Sequence, residues 1–171
     1  LMPGMRAISS CCAGVAFTGG VDTAWAINRT LAARPGPIVP LIAETGGLNA
    51  MFVDATALRE QVIDDVINSA FGSAGQRCSA LRILFVPRET ADQLIEGLAG
   101  AMDALVLSDP ADPRTDIGPV IDAEARGVLE AHLARLTQEA KVLRRMKAPD
   151  SGVFFAPTLA EIPSSAFLQK E

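Results

Sequence analysis

Apolar residues along this chain switch between two spacings, and the switches predict an order of strands and helices. Ala13-Gly-Val-Ala-Phe-Thr18 is a short apolar run that stops at Gly19-Gly20, and Ala24, Ile27 and Leu31 follow at helical spacing. Pro35-Gly36-Pro37 ends that helix, and a second apolar run over 38–43 leads into Glu44-Thr45-Gly46-Gly47. Residues 50–53 read as a short strand. Leu58, Val62, Val66 and Ala70, with Ile63 and Ile67 between them, mark one broad apolar helix face. Leu81-Arg-Ile-Leu-Phe-Val86 is β-rich and closed by Pro87, after which Leu94, Ile95, Leu98, Met102 and Leu105 return to three- and four-residue spacing. Val128, Leu129, His132, Leu133 and Leu136 make a last amphipathic helix, Lys141-Val-Leu-Arg144 a short strand, and Val153-Phe-Phe-Ala-Pro-Thr-Leu159 a final one. Strands alternating with helices imply an α/β fold, a mostly parallel sheet with flanking helices.

Composition narrows the class. The chain has 171 residues, the size of one typical domain, and 49% of them are hydrophobic, enough for a real core. A net charge of -5 without a run of Lys or Arg offers no nucleic-acid groove and no polybasic membrane patch. No apolar run reaches the roughly 18 residues that span a bilayer, and a cytoplasmic location is expected. Three cysteines, with Cys11 and Cys12 adjacent, form neither a disulfide framework nor paired metal-ligand spacing, and a reducing compartment fits them. With one histidine in the chain, no metal site is expected, and His132 reads as an ordinary helix residue. Asp109, Asp112 and Asp116 fall in a loop with three prolines, where each acid is expected to serve a solvated turn.

Candidate chemistry concentrates at Phe71-Gly-Ser-Ala-Gly-Gln-Arg-Cys78-Ser-Ala-Leu-Arg82, a glycine-punctuated loop between a helical pattern and a strand. Loops held by a rigid scaffold are where reactive groups are placed. Gln76, Arg77 and Ser79 crowd Cys78, Gly72 and Gly75 would let backbone approach a ligand, and a neighbouring cation favours thiolate. The alternative, a small buried cysteine, stays open at this stage. Glu44 ends a buried run just before two glycines and is a candidate general base, with a solvent-facing glutamate as the alternative. The Gly19-Gly20 junction, with Asp22 and Thr23 in the first helical turn, would offer free backbone N–H groups to an anion such as a dinucleotide phosphate; an ordinary βα connection would look the same.

Glu44-Thr-Gly-Gly and Gly-Gln-Arg-Cys78, 34 residues apart, together resemble the aldehyde dehydrogenase superfamily. Ala43-Glu-Thr-Gly-Gly-Leu-Asn-Ala-Met51, Ser73-Ala-Gly-Gln-Arg-Cys-Ser-Ala-Leu-Arg82, Thr115-Asp-Ile-Gly-Pro-Val-Ile-Asp122 and Ala156-Pro-Thr-Leu159 look most like the glutamate semialdehyde (pyrroline-5-carboxylate) dehydrogenase module of the bacterial proline utilization A family. The resemblance implies an NAD-dependent oxidation of glutamate γ-semialdehyde to glutamate. Cys78 would be the nucleophile and Glu44 the base that activates water. Phe17, Thr18, Gly19, Gly20, Thr45, Gly46 and Glu171 would meet the cofactor, and Ser79 the carboxylate end of the substrate. It further implies that residues 1–43 end an NAD-binding Rossmann-like domain, that 44–171 are a truncated catalytic domain, and that the parent is a homo-oligomer. FAD would enter only with a proline dehydrogenase domain upstream.

The sequence departs from the family pattern at Gly20, where the family usually has Ser, and in a shortened connection between Gly4 and Phe17 through Ile8-Ser-Ser-Cys-Cys12. The family's first cofactor-domain strands, an upstream Lys and Asn, and its downstream oligomerisation strands have no counterpart here. An isolated chain is therefore expected to turn over little or no substrate. Two alternatives stay open: another NAD(P)-dependent aldehyde dehydrogenase, such as a succinate semialdehyde type, and a non-catalytic fragment or assembly module.

Overall fold

The computed structural model describes residues 12–168, and the chain divides into two compact units, Leu1–Gly47 and Leu48–Glu171. Glu171 and the Ile8-to-Cys11 part of the shortened connection lie outside the described residues.

In the first unit, β1 (Val15–Gly19) is followed by α1 (Val21–Ala32) and pairs in parallel with β2 (Leu41–Thr45), the register running from Val15↔Leu41 to Gly19↔Thr45. Helix α1 carries Asp22 in its first turn and Arg29 in its last, the signs that complement a helix dipole. The strand expected over 38–43 begins only at Leu41. Pro37 and Pro40 bracket Ile38, which is 98% exposed, and proline supplies no N–H to a ladder.

The second unit is built around β3 (Asn49–Phe52), α2 (Arg59–Phe71), β4 (Leu81–Phe85) and α3 (Arg88–Ala104), with β3 and β4 again parallel and α2 the crossover. Val62 and Val66 of α2, Leu81 of β4, and Leu94 and Leu98 of α3 form the core, with Met51 and Leu84 packed against it. Strand alternation turns Phe52 and Phe85 the other way, where their rings stack at 4.6 Å and stay exposed. Helices α2 and α3 approach so closely that a Cβ on Gly97 would lie 2.5 Å from Ile63 Cδ1.

The chain then passes through a loop whose acids are each committed to backbone. Asp109 accepts from Ala111 N–H, Asp112 from Arg114 N–H, and Asp116 from Val106 N–H at 2.8 Å. The Arg114 guanidinium beside Asp112 also holds that carboxyl below the usual carboxylate range. Among the described residues, no group of three or more His, Cys, Asp or Glu could hold a metal ion.

Helix α4 (Ala123–Glu139) starts on an Asp122 side chain that accepts from Ala125 N–H, and the antiparallel pair β5 (Lys141–Arg145) and β6 (Thr158–Glu161) follows. A four-residue helix, α5 (Ser164–Phe167), had no sequence signal. His132 is exposed on α4, within 3.1 Å of Arg135. The last strand is shorter than expected. Of residues 153–159 only Thr158 and Leu159 are in β6: Pro157 has no N–H to pair and contributes only its carbonyl, which accepts from Met146 N–H, while the Val153 carbonyl accepts from Val120 N–H away from the ladder. Among the described residues, two of the three strand pairs are parallel, as the βα alternation implied. No helix among the described residues is long and apolar enough to cross a membrane.

Leu98 is 2% exposed at the α2–α3–β4 junction. Leu98→Ala is expected to cost about 2–5 kcal/mol, read as a lower denaturant midpoint with an unchanged slope.

Candidate active site

Helix α2 ends at Phe71, and the backbone then does something costly. Ser73, Ala74 and Gly75 take φ values of 57°, 53° and 68°, three successive residues in the left-handed region, only one of them glycine. For the two non-glycine residues this costs about 1–3 kcal/mol each and persists only where the surroundings over-determine it. Here they do. Arg82 Nη2 donates to the Gly75 carbonyl at 2.6 Å, and Gln76 donates to the Ser73 carbonyl from both its backbone N (3.0 Å) and its Nε2 (3.2 Å). A Cβ on Gly75 would sit 2.9 Å from the Ala70 carbonyl oxygen, so glycine is needed there on two counts.

Cys78 and Ser79 follow at the centre of a turn that the Ala80 N–H closes by donating to the Arg77 carbonyl at 3.1 Å. Both are exposed, whereas Ala80 is fully buried. The turn is held from three directions. Asn49 Nδ2, at the start of β3, donates to the carbonyls of Cys78 (2.6 Å) and Ala80 (3.0 Å). Leu81 N–H donates to Ser69 Oγ of α2 at 3.2 Å, and the Gln76 Oε1 accepts from Ile121 N–H at 2.8 Å. That last bond joins two stretches singled out in the sequence, Gly-Gln-Arg-Cys78 and Thr115-to-Asp122.

Two expectations about this loop are corrected. The Arg77 guanidinium does not serve the thiol: its Nη2 donates to the carbonyls of Asn68 (2.7 Å) and Ser69 (3.4 Å), capping a helix that has no basic residue in its last turn. Gly72 and Gly75 do not leave room for a ligand either. They face Arg77 Nη2 and the Ala70 carbonyl, so their missing side chains serve the loop's own packing. The buried-cysteine alternative is excluded, since Cys78 is exposed.

The other candidates gather in the first unit, at the C-terminal ends of two parallel strands, where open α/β sheets bind ligands. Register sets Thr18 beside Glu44 and Gly19 beside Thr45. Phe17 lies over Gly19, whose Cβ would come within 2.6 Å of the ring. Gly20 is the N-cap of α1 with no side-chain cap, leaving the first-turn N–H groups without a side-chain acceptor from that position. The departure from Ser at Gly20 is not forced by packing, because a Cβ there meets nothing within 4 Å. Glu44 and Gly46 are exposed, Thr45 is half-buried and Ile42 is 66% exposed, so the run before Glu44, expected to be buried, is largely open within this unit. Sequence reading passed over Asn49, although it stands five residues after Glu44 in the same motif; a lone Asn before a strand carries no local signal of a partner 29 residues away.

The sequence profile of the aldehyde dehydrogenase family matches residues 9–171. This chain belongs to that family. It is 47% identical over 169 residues to the bifunctional protein PutA of Escherichia coli, a match covering 92% of this chain and 13% of the relative. A solved structure of proline utilization A from Bradyrhizobium japonicum superposes with a TM-score of 0.88 at 56% identity, over 93% of this chain and 16% of that one. The 1-pyrroline-5-carboxylate dehydrogenase of Thermus, solved with bound NAD, gives a TM-score of 0.81 at 28% identity, over 92% of this chain and 31% of the other. The chain thus spans well under a third of the PutA proteins it matches.

Gly75→Ala places a side chain at positive φ against backbone, and is expected to lower stability by about 1–3 kcal/mol. Gly20→Ser, at an open N-cap, should instead change it by only a few tenths of a kcal/mol, in the stabilising direction. Paired thermal melts of the two variants check both.

Proposed function

We propose that this chain is part of an enzyme that oxidises L-glutamate γ-semialdehyde to glutamate with NAD, Cys78 acting as nucleophile and Glu44 as general base. The observation that carries the reading is the Cys78 turn: an exposed thiol on a strained loop fastened by hydrogen bonds to α2, β3, β4 and the segment before α4. The relatives named above supply the substrate class. Residues 1–43 would end the NAD-binding domain and 44–171 would form the catalytic part; a homo-oligomeric parent belongs to the same proposal.

The residues at the β1–α1 junction fit a dinucleotide. Gly19 and Gly20 bring bare backbone to the N-terminus of a twelve-residue helix, which favours a pyrophosphate, and Thr18, Thr45 and Gly46 lie at the same strand ends. Phe17 packs on Gly19 and fixes that turn; Glu171 would add a contact to the cofactor ribose. Bound NAD would accept the hydride.

Cys78 Sγ adds to the aldehyde carbon, and the carbonyl oxygen becomes an oxyanion that the Cys78 backbone N–H helps to hold. Loss of hydride from that carbon leaves an acyl thioester on Cys78. Glu44 then takes a proton from water, the hydroxide adds to the thioester carbon, and the C–S bond breaks to give the Cys78 thiolate and the new carboxylic acid, which ionises to glutamate while the Glu44 proton returns to solvent. Ser79, adjacent and exposed, would receive the substrate carboxylate. Glu44 belongs to the first unit and Cys78 to the second.

In the intact protein, Cys78→Ser is expected to lower NADH formation from glutamate γ-semialdehyde by about four orders of magnitude or more. Glu44→Gln should keep a single-turnover burst of NADH and lose steady turnover by about 10²–10⁴-fold. Full steady turnover in either variant, read in stopped-flow, would refute the assignment.

A further inference from the structure

We infer that Asn49 is the positioning residue of the Cys78 nucleophile, its amide stapling shut the turn that presents the thiol. The inference rests on the reading of Cys78 as nucleophile and goes beyond it, since nothing in the motif spacing gives Asn49 a task.

The chemistry of the contact is specific. A primary amide nitrogen carries two protons, and Asn49 Nδ2 has two carbonyl oxygens within reach, Cys78 at 2.6 Å and Ala80 at 3.0 Å. Two acceptors two residues apart are thereby held to one atom. A hydroxyl has one proton to give and a carboxylate none, so the side chains closest in size cannot reproduce the staple. Its target is also specific. The Cys78 carbonyl belongs to the Cys78–Ser79 peptide, and fixing it fixes the Cys78 ψ angle, hence where the thiol and the Ser79 N–H point. The turn's own closure, Ala80 N–H to the Arg77 carbonyl, bridges its ends and leaves the rotation of that central peptide to be set from outside.

A second observation explains how the side chain gets there. The β3–β4 register is irregular at this residue: Asn49 pairs with Leu81, but Ala50 already pairs with Ile83. The extra residue on β4 breaks the regular ladder next to the cysteine turn, and such irregularities re-aim side chains beside functional sites. Arg82, the residue skipped, is the one whose guanidinium holds the Gly75 carbonyl. One irregularity thus serves both the staple and the strained stretch before the cysteine.

The test uses Asn49→Ala and Asn49→Asp in the intact protein. Asn49→Asp keeps the shape but has no N–H to give and sets a charge against two carbonyls. Both variants are expected to slow the pre-steady-state burst of NADH by up to about 100-fold, the loss that a displacement near 1 Å can cause, while KM for NAD stays within about twofold. Amide hydrogen exchange should quicken at Ala80 and its turn and be unchanged in α3. A burst rate within about twofold of the wild type in both variants overturns the inference, even if they melt at lower temperature, because Asn49 would then be merely structural. Should Asn49→Ala fail to fold, Asn49→Asp decides. If the wild-type protein does not oxidise glutamate γ-semialdehyde, the proposed function fails by itself. The exchange data and the rate of Cys78 alkylation by iodoacetamide against Cys12 then decide the staple: quickened exchange with altered Cys78 alkylation upholds it, and both unchanged overturns it.

Discussion

Left-handed backbone at Ser73, Ala74 and Gly75 is the constraint around which the second unit is arranged. Through these three residues the chain passes from α2 toward β4, and it arrives with Cys78 exposed and Ala80 fully buried two residues later. The reversal costs energy at two residues with a Cβ, so it has to be met by interactions that vanish if the loop relaxes. They come from every neighbouring element: Arg77 on the end of α2, Arg82 on Gly75, Gln76 on Ile121, Ser69 on Leu81 and Asn49 on the turn itself. Preorganisation of this kind suits a nucleophile, since a turn that is already fixed loses no further freedom when it reacts.

The polar residues around the cysteine thus turn out to have a division of labour. Arg77, Gln76 and Arg82 bond backbone carbonyls or amides of the protein and build the loop, while Cys78 and Ser79 are left facing solvent. The core beneath supplies rigidity rather than chemistry. Val62, Val66, Leu94 and Leu98 lock α2 and α3 together, and α2 carries the carbonyls and the hydroxyl to which the loop is tied. In the first unit the arrangement is simpler. Parallel pairing in register brings Thr18, Gly19, Glu44 and Thr45 to one strand end, beside a helix start whose N-cap glycine supplies no side chain.

Most elements were legible because their signals are local. The α2 and α3 faces repeat at three- and four-residue spacing, and β4 is an unbroken β-rich run closed by proline. The errors were local too, and proline caused them. Pro40 delays β2 and Pro157 delays β6, because a residue without an N–H cannot join a ladder from that side, however apolar its neighbours. The four-residue α5 is too short to show a period.

The candidate site divides along the same line. Motif and spacing were enough to nominate Cys78, Glu44 and the Gly19-Gly20 turn as candidates, because residue type and sequence distance are all that a family pattern contains. What holds Cys78 in place depended on the tertiary structure. The bonds from Asn49 and Gln76 join residues 29 and 45 positions apart, and only the packing of β3, α2 and the 115–122 segment decides which donors reach the turn. The same holds for Arg77, whose position beside the cysteine suggested a cation for the thiol. Its long side chain folds back to the unpaired carbonyls at the end of α2, an alternative acceptor that exists only once the helix has formed.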